Sequence, residues 1–518
     1  MEILVHTYEQ ATDSTRMTLS KLLEGVSVMK MFQTMYGKMV VTHDVQINAV
    51  QYDSRKITQG NLFVAIRGTA SDGHTFITHA VNNGAKVVVM DDDKALPDSY
   101  FMHAGVVKIV VGDTRKALAT ISANYFDHPA TKLQLIGVTG TNGKTTTTHL
   151  IKSILEAHGS TTGLIGTIEY VIGNNVIPAT HTTPESLELQ QLLANMEQQG
   201  CSSTVMEVSS HALHQHRVDE IPFRAGVFTN LTQDHLDYHG SMEEYFKAKQ
   251  MLFEGLESTA VAVVNIDDEY GARMLDATSA RKMKYGIASG SDVRGEKISL
   301  SMSGTRMAVV HEGETTDIAS PLIGRFNVSN VLAAFATGIA LGIPKQTIRH
   351  AIQSTTAVRG RFEQIASPAG WTAIVDYAHT PDALLKALTA VHEIFDGQRR
   401  GKIITVFGCG GNRDRLKRPK MAEIATAHSD VTIVTSDNPR QEKPETIIDE
   451  VIAGAKSGAE IVRETDRKLA IINALERASA NDVVLIAGKG HEDYQIIKDE
   501  KIHFSDREVV EEFLRSRA

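Results

Sequence analysis

Leu133-Gln-Leu-Ile-Gly-Val-Thr139 runs into Gly140-Thr-Asn-Gly-Lys-Thr145 and then Thr146-Thr-Thr-His-Leu-Ile-Lys-Ser-Ile-Leu155. An apolar run, a glycine-bracketed turn and an amphipathic run predict strand, loop and helix. Glycines let backbone N–H groups approach phosphate oxygens, and a helix N-terminus favours an anion. Lys144 supplies a point charge for the outer phosphates, and the Thr145 hydroxyl suits Mg²⁺. The spacing is shorter than the common Walker pattern, because position 138 is valine. The alternative is a glycine-rich turn with a solvated lysine; the strand and helix on either side favour the phosphate reading.

Working outward, short β-branched runs alternate with helical ones, the signature of α/β folds. Upstream, strands are expected at 60–66, 86–90 and 106–111, with helices at 76–83 and 115–126. Pro129 in Asp127–Lys132 suggests a first boundary. Downstream, strands are expected at 203–208, 226–231 and 261–266, followed by an amphipathic helix over 328–341. After Val358-Arg-Gly-Arg361 come strands at 373–377, 402–407, 430–435 and 483–487. Strands so uniformly apolar suit parallel sheets buried on both faces. The expected division is therefore 1–132, 133–357 and 358–518.

Length agrees, since 518 residues at roughly 150 per domain give about three domains. No run of about 18 apolar residues exists, which excludes a transmembrane helix. Lys+Arg is 53 and Asp+Glu 62, a net charge of −9 that argues against a general nucleic-acid or anionic-membrane binder. Two cysteines, Cys201 and Cys409, form no disulfide framework and point to the reducing cytoplasm. The N-terminus lacks the pattern of a secretory signal.

Chemistry-bearing residues follow the expected strand ends, where ligands collect in open α/β sheets. Glu207 ends one strand, with Ser209, Ser210 and His211 directly after it; Asn230-Leu-Thr-Gln-Asp-His-Leu-Asp-Tyr-His-Gly240 comes next. Glu207 and His235 could hold nucleotide-bound Mg²⁺. A zinc site from His211, His214, His216, His235 and His239 is the bolder reading, and the spacing matches no closed ligand set. His214, His216 and His239 are expected in ordinary polar roles. The last third carries Asp376-Tyr-Ala-His-Thr-Pro-Asp382, Gly408-Cys-Gly-Gly-Asn-Arg-Asp-Arg415, Ser436-Asp-Asn-Pro-Arg440 and Ala487-Gly-Lys-Gly-His-Glu-Asp493. Each would also be an ordinary turn if met alone. Together, alternating Arg413, Arg440 and Lys489 with Asp437, Asp493 and Glu492, they suit a zwitterionic ligand.

From about Met17 to the C-terminus these boxes, with Asp53-Ser-Arg, HTTPESLEL, EEYFKAKQML and GRFNVSN, resemble the Mur ligases, the ATP-dependent amino-acid-adding enzymes of peptidoglycan synthesis. The similarity is greatest to the branch that adds the third residue of the stem peptide. Residues 1–16 look like an extension. The resemblance implies a uridine-nucleotide domain, a P-loop ATPase-type central domain and a Rossmann-like C-terminal domain. It assigns ATP to Gly140, Thr141, Asn142, Gly143, Lys144, Thr145, Thr146, Asn327, Asn330, Arg361 and Asp376. It assigns UDP-muramoyl-dipeptide to Tyr52, Ser54, Thr69, Ala70, Ser71, His181, Thr182, Thr183, Ser209, Gln215 and Arg217. Two Mg²⁺ ions would be served by Thr145, Glu207, His235 and Lys249. Lys249 reads by composition as a solvated helix lysine; the resemblance makes it a CO₂-derived carbamate, an anionic oxygen ligand.

The same resemblance places meso-diaminopimelate on Arg413, Asp437, Asn438, Pro439, Arg440, Gly488 and Glu492. Arg440 would form a paired contact with the far carboxylate of that substrate. The implied reaction attacks ATP with the D-glutamyl γ-carboxylate and gives an acyl phosphate, which the diaminopimelate amine then captures. Lys144 would offset charge in phosphoryl transfer. The implied partners are these small molecules alone, handled by a monomer. A lysine-adding ligase, or a P-loop ATPase whose last domain senses an amino acid, are the competing readings.

Overall fold

A computed structural model describes residues 17–35, 38–39, 44–68, 71–395 and 401–517. The expected extension, 1–16, lies outside them. The chain groups into two compact units, one formed by Met1–Asn142, Gly159–Ala262 and Tyr270–Lys282, the other by Gly143–His158, Val263–Glu269 and Met283–Ala518.

The first unit holds a five-stranded sheet in the order Val28–Phe32, Val107–Val111, Val87–Met90, Leu62–Val64, Val50–Gln51. Only the Val28–Phe32 pairing is antiparallel. Alternation of side chains explains why these strands read as continuous apolar runs, since both faces are covered. Val64, Val87 and Val89 pack with Ala117, Leu118 and Ile121 of the helix Thr114–Tyr125. Phe63, Val88 and Met90 pack with Ile77, Ala80 and Phe101. Asp113 starts the Thr114–Tyr125 helix by accepting from the Arg115 and Lys116 N–H groups at 2.8 and 3.2 Å. Beyond it, Thr162–Ile165, Ser203–Glu207, Gln134–Thr139 and Phe223–Phe228 lie side by side, all parallel. The hairpin of Glu169–Ile172 and Asn175–Pro178 extends this set antiparallel at its Thr162–Ile165 side.

In the second unit the helix Lys144–Ala157 packs against Arg325–Ala340, where Gly338 lets Ile154 and Ile348 close in. A six-stranded sheet runs Glu363–Ala366, Thr372–Asp376, Val483–Ala487, Ile403–Phe407, Val431–Val434, Glu460–Arg463. The first pairing is antiparallel and the others parallel. Ile374, Phe407 and Leu485 face one helical layer, while Val375, Val406 and Ile486 face the other. The four C-terminal motifs therefore leave the same edge of one sheet.

Three readings of the sequence are corrected. The strand expected at 226–231 is Phe223–Phe228, because Thr229 and Asn230 leave the sheet to bind the phosphate loop. The helix expected over 328–341 is Arg325–Ala340, and it is buried almost all round rather than amphipathic. An antiparallel meander, Val293–Ser301, Gly304–His311 and Glu314–Ser320, stands where no strand was expected. Among the described residues no helix is long and apolar enough to cross a membrane.

Candidate active site

The phosphate loop is held from below by side chains of Thr229 and Asn230. The Asn142 N–H donates to Asn230 Oδ1 at 3.0 Å, and Asn142 O accepts from Asn230 Nδ2 at 3.0 Å and from Thr229 Oγ1 at 2.7 Å. The Thr141 N–H donates to Asn230 O at 2.8 Å. With its carbonyl and amide groups tied down, the loop is fixed before any ligand arrives. Gly143 has φ +86° and begins the helix; a Cβ there would fall inside the shell of Asn330 Oδ1. That vacancy of side chain is what a closely approaching phosphate needs. Asn330 is itself oriented, since its Nδ2 donates to Asn327 Oδ1 at 2.9 Å and Asn327 Nδ2 donates to Ile323 O at 2.8 Å.

On the helix side, Arg361 Nη2 donates to Thr145 Oγ1 at 3.2 Å, and its guanidinium lies 4.8 Å from the Tyr377 ring centroid. Arg361 Nε is buried and has no hydrogen-bond partner among the described residues. Asp376 closes the turn after its strand by accepting from the Phe362 and Ala378 N–H groups at 2.7 and 2.9 Å. Burial raises its carboxyl above the ordinary range, against the pull of Arg361 and these amides. Gly143, Thr145, Asn327, Asn330, Arg361 and Asp376 thus all lie in the second unit. Thr146, in the first turn of the helix, is buried.

Lys249 overturns the reading from composition. Its side chain is 1% exposed, with Nζ donating to Gly140 O at 3.0 Å and lying 4.5 Å from the Tyr245 ring centroid. A buried lysine tied to the loop carbonyl is no solvated helix residue. Tyr245 reaches the same loop, its hydroxyl 3.2 Å from Thr141 Oγ1.

Glu207 is buried at its strand end. Its Oε1 accepts from the Thr167 N–H at 2.9 Å and its Oε2 from the Thr167 hydroxyl at 3.0 Å. Each oxygen keeps a further lone pair, so the carboxylate fits a hard cation without losing its support. His235 sits at φ +53° with its side chain 48% exposed, and its ring is 4.9 Å from that of His211. Burial, with His235 and Arg217 nearby, pushes His211 down to about 4; burial does the same to His239. The remaining histidines have ordinary partners: His214 meets the Tyr238 hydroxyl, His216 the Asp219 carboxylate, His239 the Ser210 hydroxyl. Among the described residues no group of three or more His, Cys, Asp or Glu could hold a metal ion.

Of the residues expected on the muramoyl-dipeptide, Thr182, Thr183, Ser209, Gln215 and Arg217 are hydrogen-bonded into one network with Thr167 and Glu207 in the first unit. Thr183 Oγ1 donates to Glu207 O at 2.8 Å and accepts from the Ser209 N–H at 3.1 Å. Arg217 Nη1 donates to Thr183 O at 3.0 Å, and Arg217 Nη2 donates to Gln215 Oε1 at 2.8 Å. The Thr182 and Thr167 hydroxyls are 3.1 Å apart. His181 sits beside them, its N–H donating to the Tyr170 hydroxyl at 3.1 Å. Tyr52 donates to Glu188 Oε1 at 2.8 Å; burial raises its phenol, helped by that carboxylate. Ser54 is buried behind Asp53, and its carbonyl accepts from Asn83 Nδ2 at 3.0 Å. Ser71 O accepts from the Gly68 N–H at 2.8 Å, while Thr69 and Ala70 lie outside the described residues. Sequence reasoning missed Glu185, which pairs with Arg115 at 3.1 Å and Arg217 at 3.3 Å, and also Glu188. Both lie inside the HTTPESLEL box, but nothing in the box marks them as the partners of distant cations.

At the edge of the six-stranded sheet, Asp437, Asn438, Arg440 and Glu492 come together. Asn438 Nδ2 donates to Glu492 Oε2 at 3.1 Å. Burial alone would raise the Asp437 carboxyl, yet the Lys489 and Arg467 cations hold it below the carboxylate range. Arg440 stands at φ +52°, its N–H donating to Ile496 O at 3.1 Å and its Nη1 to Gly411 O at 3.0 Å. Gly488 has φ +118°, and a Cβ there would stand 3.0 Å from Asp437 Oδ2. Pro439 is buried against Gly411. Arg413 is exposed on the preceding loop, its Nη1 bonding only to Asn412 O, at 3.1 Å, among the described residues. The site thus offers both signs of charge on a buried floor with an exposed arginine at its side.

Known proteins place the chain. The Mur ligase family catalytic domain matches residues 46–126, the Mur ligase middle domain 138–338 and the Mur ligase glutamate ligase domain 360–490. A UDP-N-acetylmuramoyl-L-alanyl-D-glutamate–2,6-diaminopimelate ligase of Clostridium botulinum is 44% identical over 473 residues, 91% of this chain and 95% of that protein. The protein of the same name from Phocaeicola vulgatus is 42% identical over 95% of this chain and 99% of its own length. A solved structure of a ligase with that name superposes with TM-score 0.66 at 31% identity, covering 91% of this chain and 95% of that one. The fold extends to the ADP complex of MurF from Thermotoga maritima, with TM-score 0.59 at 18% identity, covering 91% and 98%. The tethered phosphate loop, the network around Glu207 and the two-signed floor under Arg440 fall in order along those matched domains: the chain belongs to the Mur ligase family.

Proposed function

We propose that this chain is an ATP-dependent ligase that adds meso-diaminopimelate to the D-glutamyl γ-carboxylate of UDP-N-acetylmuramoyl-L-alanyl-D-glutamate, in peptidoglycan precursor synthesis. The observation that carries the choice of amino acid is the union of Asp437, Asn438, Glu492 and Arg440 on one sheet edge. Diaminopimelate ends in an ammonium and a carboxylate on one carbon, and this floor presents a partner for each. Lysine would leave Arg440 without an anion in a partly buried place, a cost of about 1–3 kcal/mol. The names of the relatives support the same reading.

In this account residues 1–132 serve the uridine nucleotide, 133–357 ATP and 358–518 the amino acid. The tethered loop Gly140–Thr146, with Asn327, Asn330, Arg361 and Asp376, holds ATP. Lys144 sits where charge develops on the transferred phosphoryl group. Thr183, Ser209, Gln215 and Arg217 hold the dipeptide, whose γ-carboxylate is the nucleophile toward the γ-phosphate. The γ-phosphate passes to that carboxylate, ADP leaves, and the diaminopimelate amine displaces phosphate from the acyl phosphate to form the amide. Thr145, Glu207, His235 and a carbamylated Lys249 would hold Mg²⁺, which when bound supplies positive charge against the phosphate oxygens. The enzyme acts as a monomer in the cytoplasm.

The test omits one substrate at a time while ADP release is followed. The proposal expects turnover only with ATP, UDP-muramoyl-dipeptide and diaminopimelate together. ATP hydrolysis indifferent to both other substrates would favour the ATPase-sensor reading and refute the ligase.

A further inference from the structure

Lys489 lies at the centre of the amino-acid floor, and its side chain is wholly buried. Its Nζ donates to Asn438 Oδ1 at 3.1 Å and to Glu492 Oε2 at 3.2 Å, and stands 3.6 Å from Asp437 Oδ1. Glycines flank it at φ +118° and +53°, and Gly490 is packed on Gly360 O and Tyr377, so the backbone itself turns the lysine inward. Two consequences follow. Asn438 Oδ1 also accepts from the Ile496 N–H at 2.9 Å, so its amide orientation is fixed with Nδ2 toward Glu492. The floor is also balanced in charge: Asp437 and Glu492 against Lys489 and Arg440, above an internally neutralised Arg467–Asp506 pair at 2.7 Å.

We infer that Lys489 is a positioning residue that sets amino-acid selectivity, by making the floor of the pocket neutral and so fit for a zwitterionic far end rather than a bare cation. The inference rests on the ligase reading above and deepens it. Without Lys489 the floor carries one net negative charge, and Glu492 and Asp437 are left to a ligand ammonium. Such a pocket suits lysine better than diaminopimelate, whose far carboxylate then meets uncompensated acids. The buried ammonium therefore acts against the wrong substrate as much as for the right one.

The experiment measures kcat/KM for diaminopimelate and for lysine with wild type, Lys489→Met and Lys489→Arg, at saturating ATP and UDP-muramoyl-dipeptide. Lys489→Met is expected to raise the diaminopimelate KM about tenfold or more, the scale of losing a buried charged partner. Its diaminopimelate-to-lysine ratio should shrink by at least that factor, while Lys489→Arg keeps most of it. Partial misfolding lowers both specificity constants equally and leaves the ratio intact, so the ratio is the readout. An unchanged ratio in Lys489→Met overturns the inference. If Lys489→Met shows no turnover, the ratio in Lys489→Arg decides: retained selectivity supports the inference, and a collapse overturns it. A wild-type enzyme that does not use diaminopimelate overturns the ligase reading, and this inference with it, before any variant is compared.

Discussion

Gly143→Ala tests whether the loop is built for close approach of phosphate. Gly143 has φ +86°, and alanine in that left-handed region costs about 1–2 kcal/mol. The new methyl would also fall on Asn330 Oδ1, forcing the amide to turn and breaking the 2.9 Å bond from Asn330 Nδ2 to Asn327 Oδ1. One such bond is worth about 1 kcal/mol. The total, about 2–3 kcal/mol, divides between folding and binding. If all of it fell on binding, ADP affinity would drop roughly 30- to 150-fold. Calorimetric titration with Mg-ADP and thermal unfolding, both on the purified protein, give the two shares. Gly159→Ala is the control: φ is +96° there with nothing within 4 Å, so it carries strain without a clash and should leave ADP affinity unchanged. An affinity for Gly143→Ala within about threefold of wild type, with an unchanged melting temperature, would refute the assigned geometry.

Lys249→Met should abolish turnover while ADP still binds, and wild type freed of CO₂ should regain activity on adding bicarbonate; activity indifferent to bicarbonate would remove the carbamate. Arg440→Ala should raise the diaminopimelate KM tenfold or more, about the effect of deleting a charged partner, with UDP-muramoyl-dipeptide affinity kept; equal weakening of both would remove its role. Glu442 is held down to about 2, chiefly by hydrogen bonds from Arg418, against an ordinary 4.5. Its folded-state pKa is depressed, so its stabilisation is present above 4.5 and lost as pH falls toward 2. Glu442→Gln should lower the melting temperature near neutrality and flatten its decline over that acid range; an identical acid limb in the variant would contradict the pairing.

The strand–loop–helix of 133–155 was legible because each part carries its own local signal: an apolar run, two glycines needing positive φ, and a 3.6-residue periodicity. The four C-terminal boxes were legible for the same reason, each following a buried strand. The outer strands of the meander, Val293–Ser301 and Glu314–Ser320, were not, because their exposed faces carry polar residues and leave no apolar run; the short run Met307–Val310 of the strand between them was passed over. Lys249 was read as solvated from its residue type alone, although it stands four and three residues after Tyr245 and Phe246 and three and four before Leu252 and Phe253, on the apolar face of its helix; Lys247, off that face, is exposed and pairs with Glu244 at 2.8 Å. Glu185 and Lys489 take their meaning from partners far along the chain, Arg115 and Asn438 among them. Such pairings are tertiary facts. The residue types were visible in sequence, but their partners were set by sheet order.

The central claim is that the floor around Arg440 selects a zwitterionic far end. A competition reaction tests it most directly: equal diaminopimelate and lysine, with ATP and UDP-muramoyl-dipeptide, and the product resolved by mass spectrometry. The account predicts a product carrying diaminopimelate almost alone. Equal incorporation of lysine, or ADP formed without any tripeptide product, would contradict it.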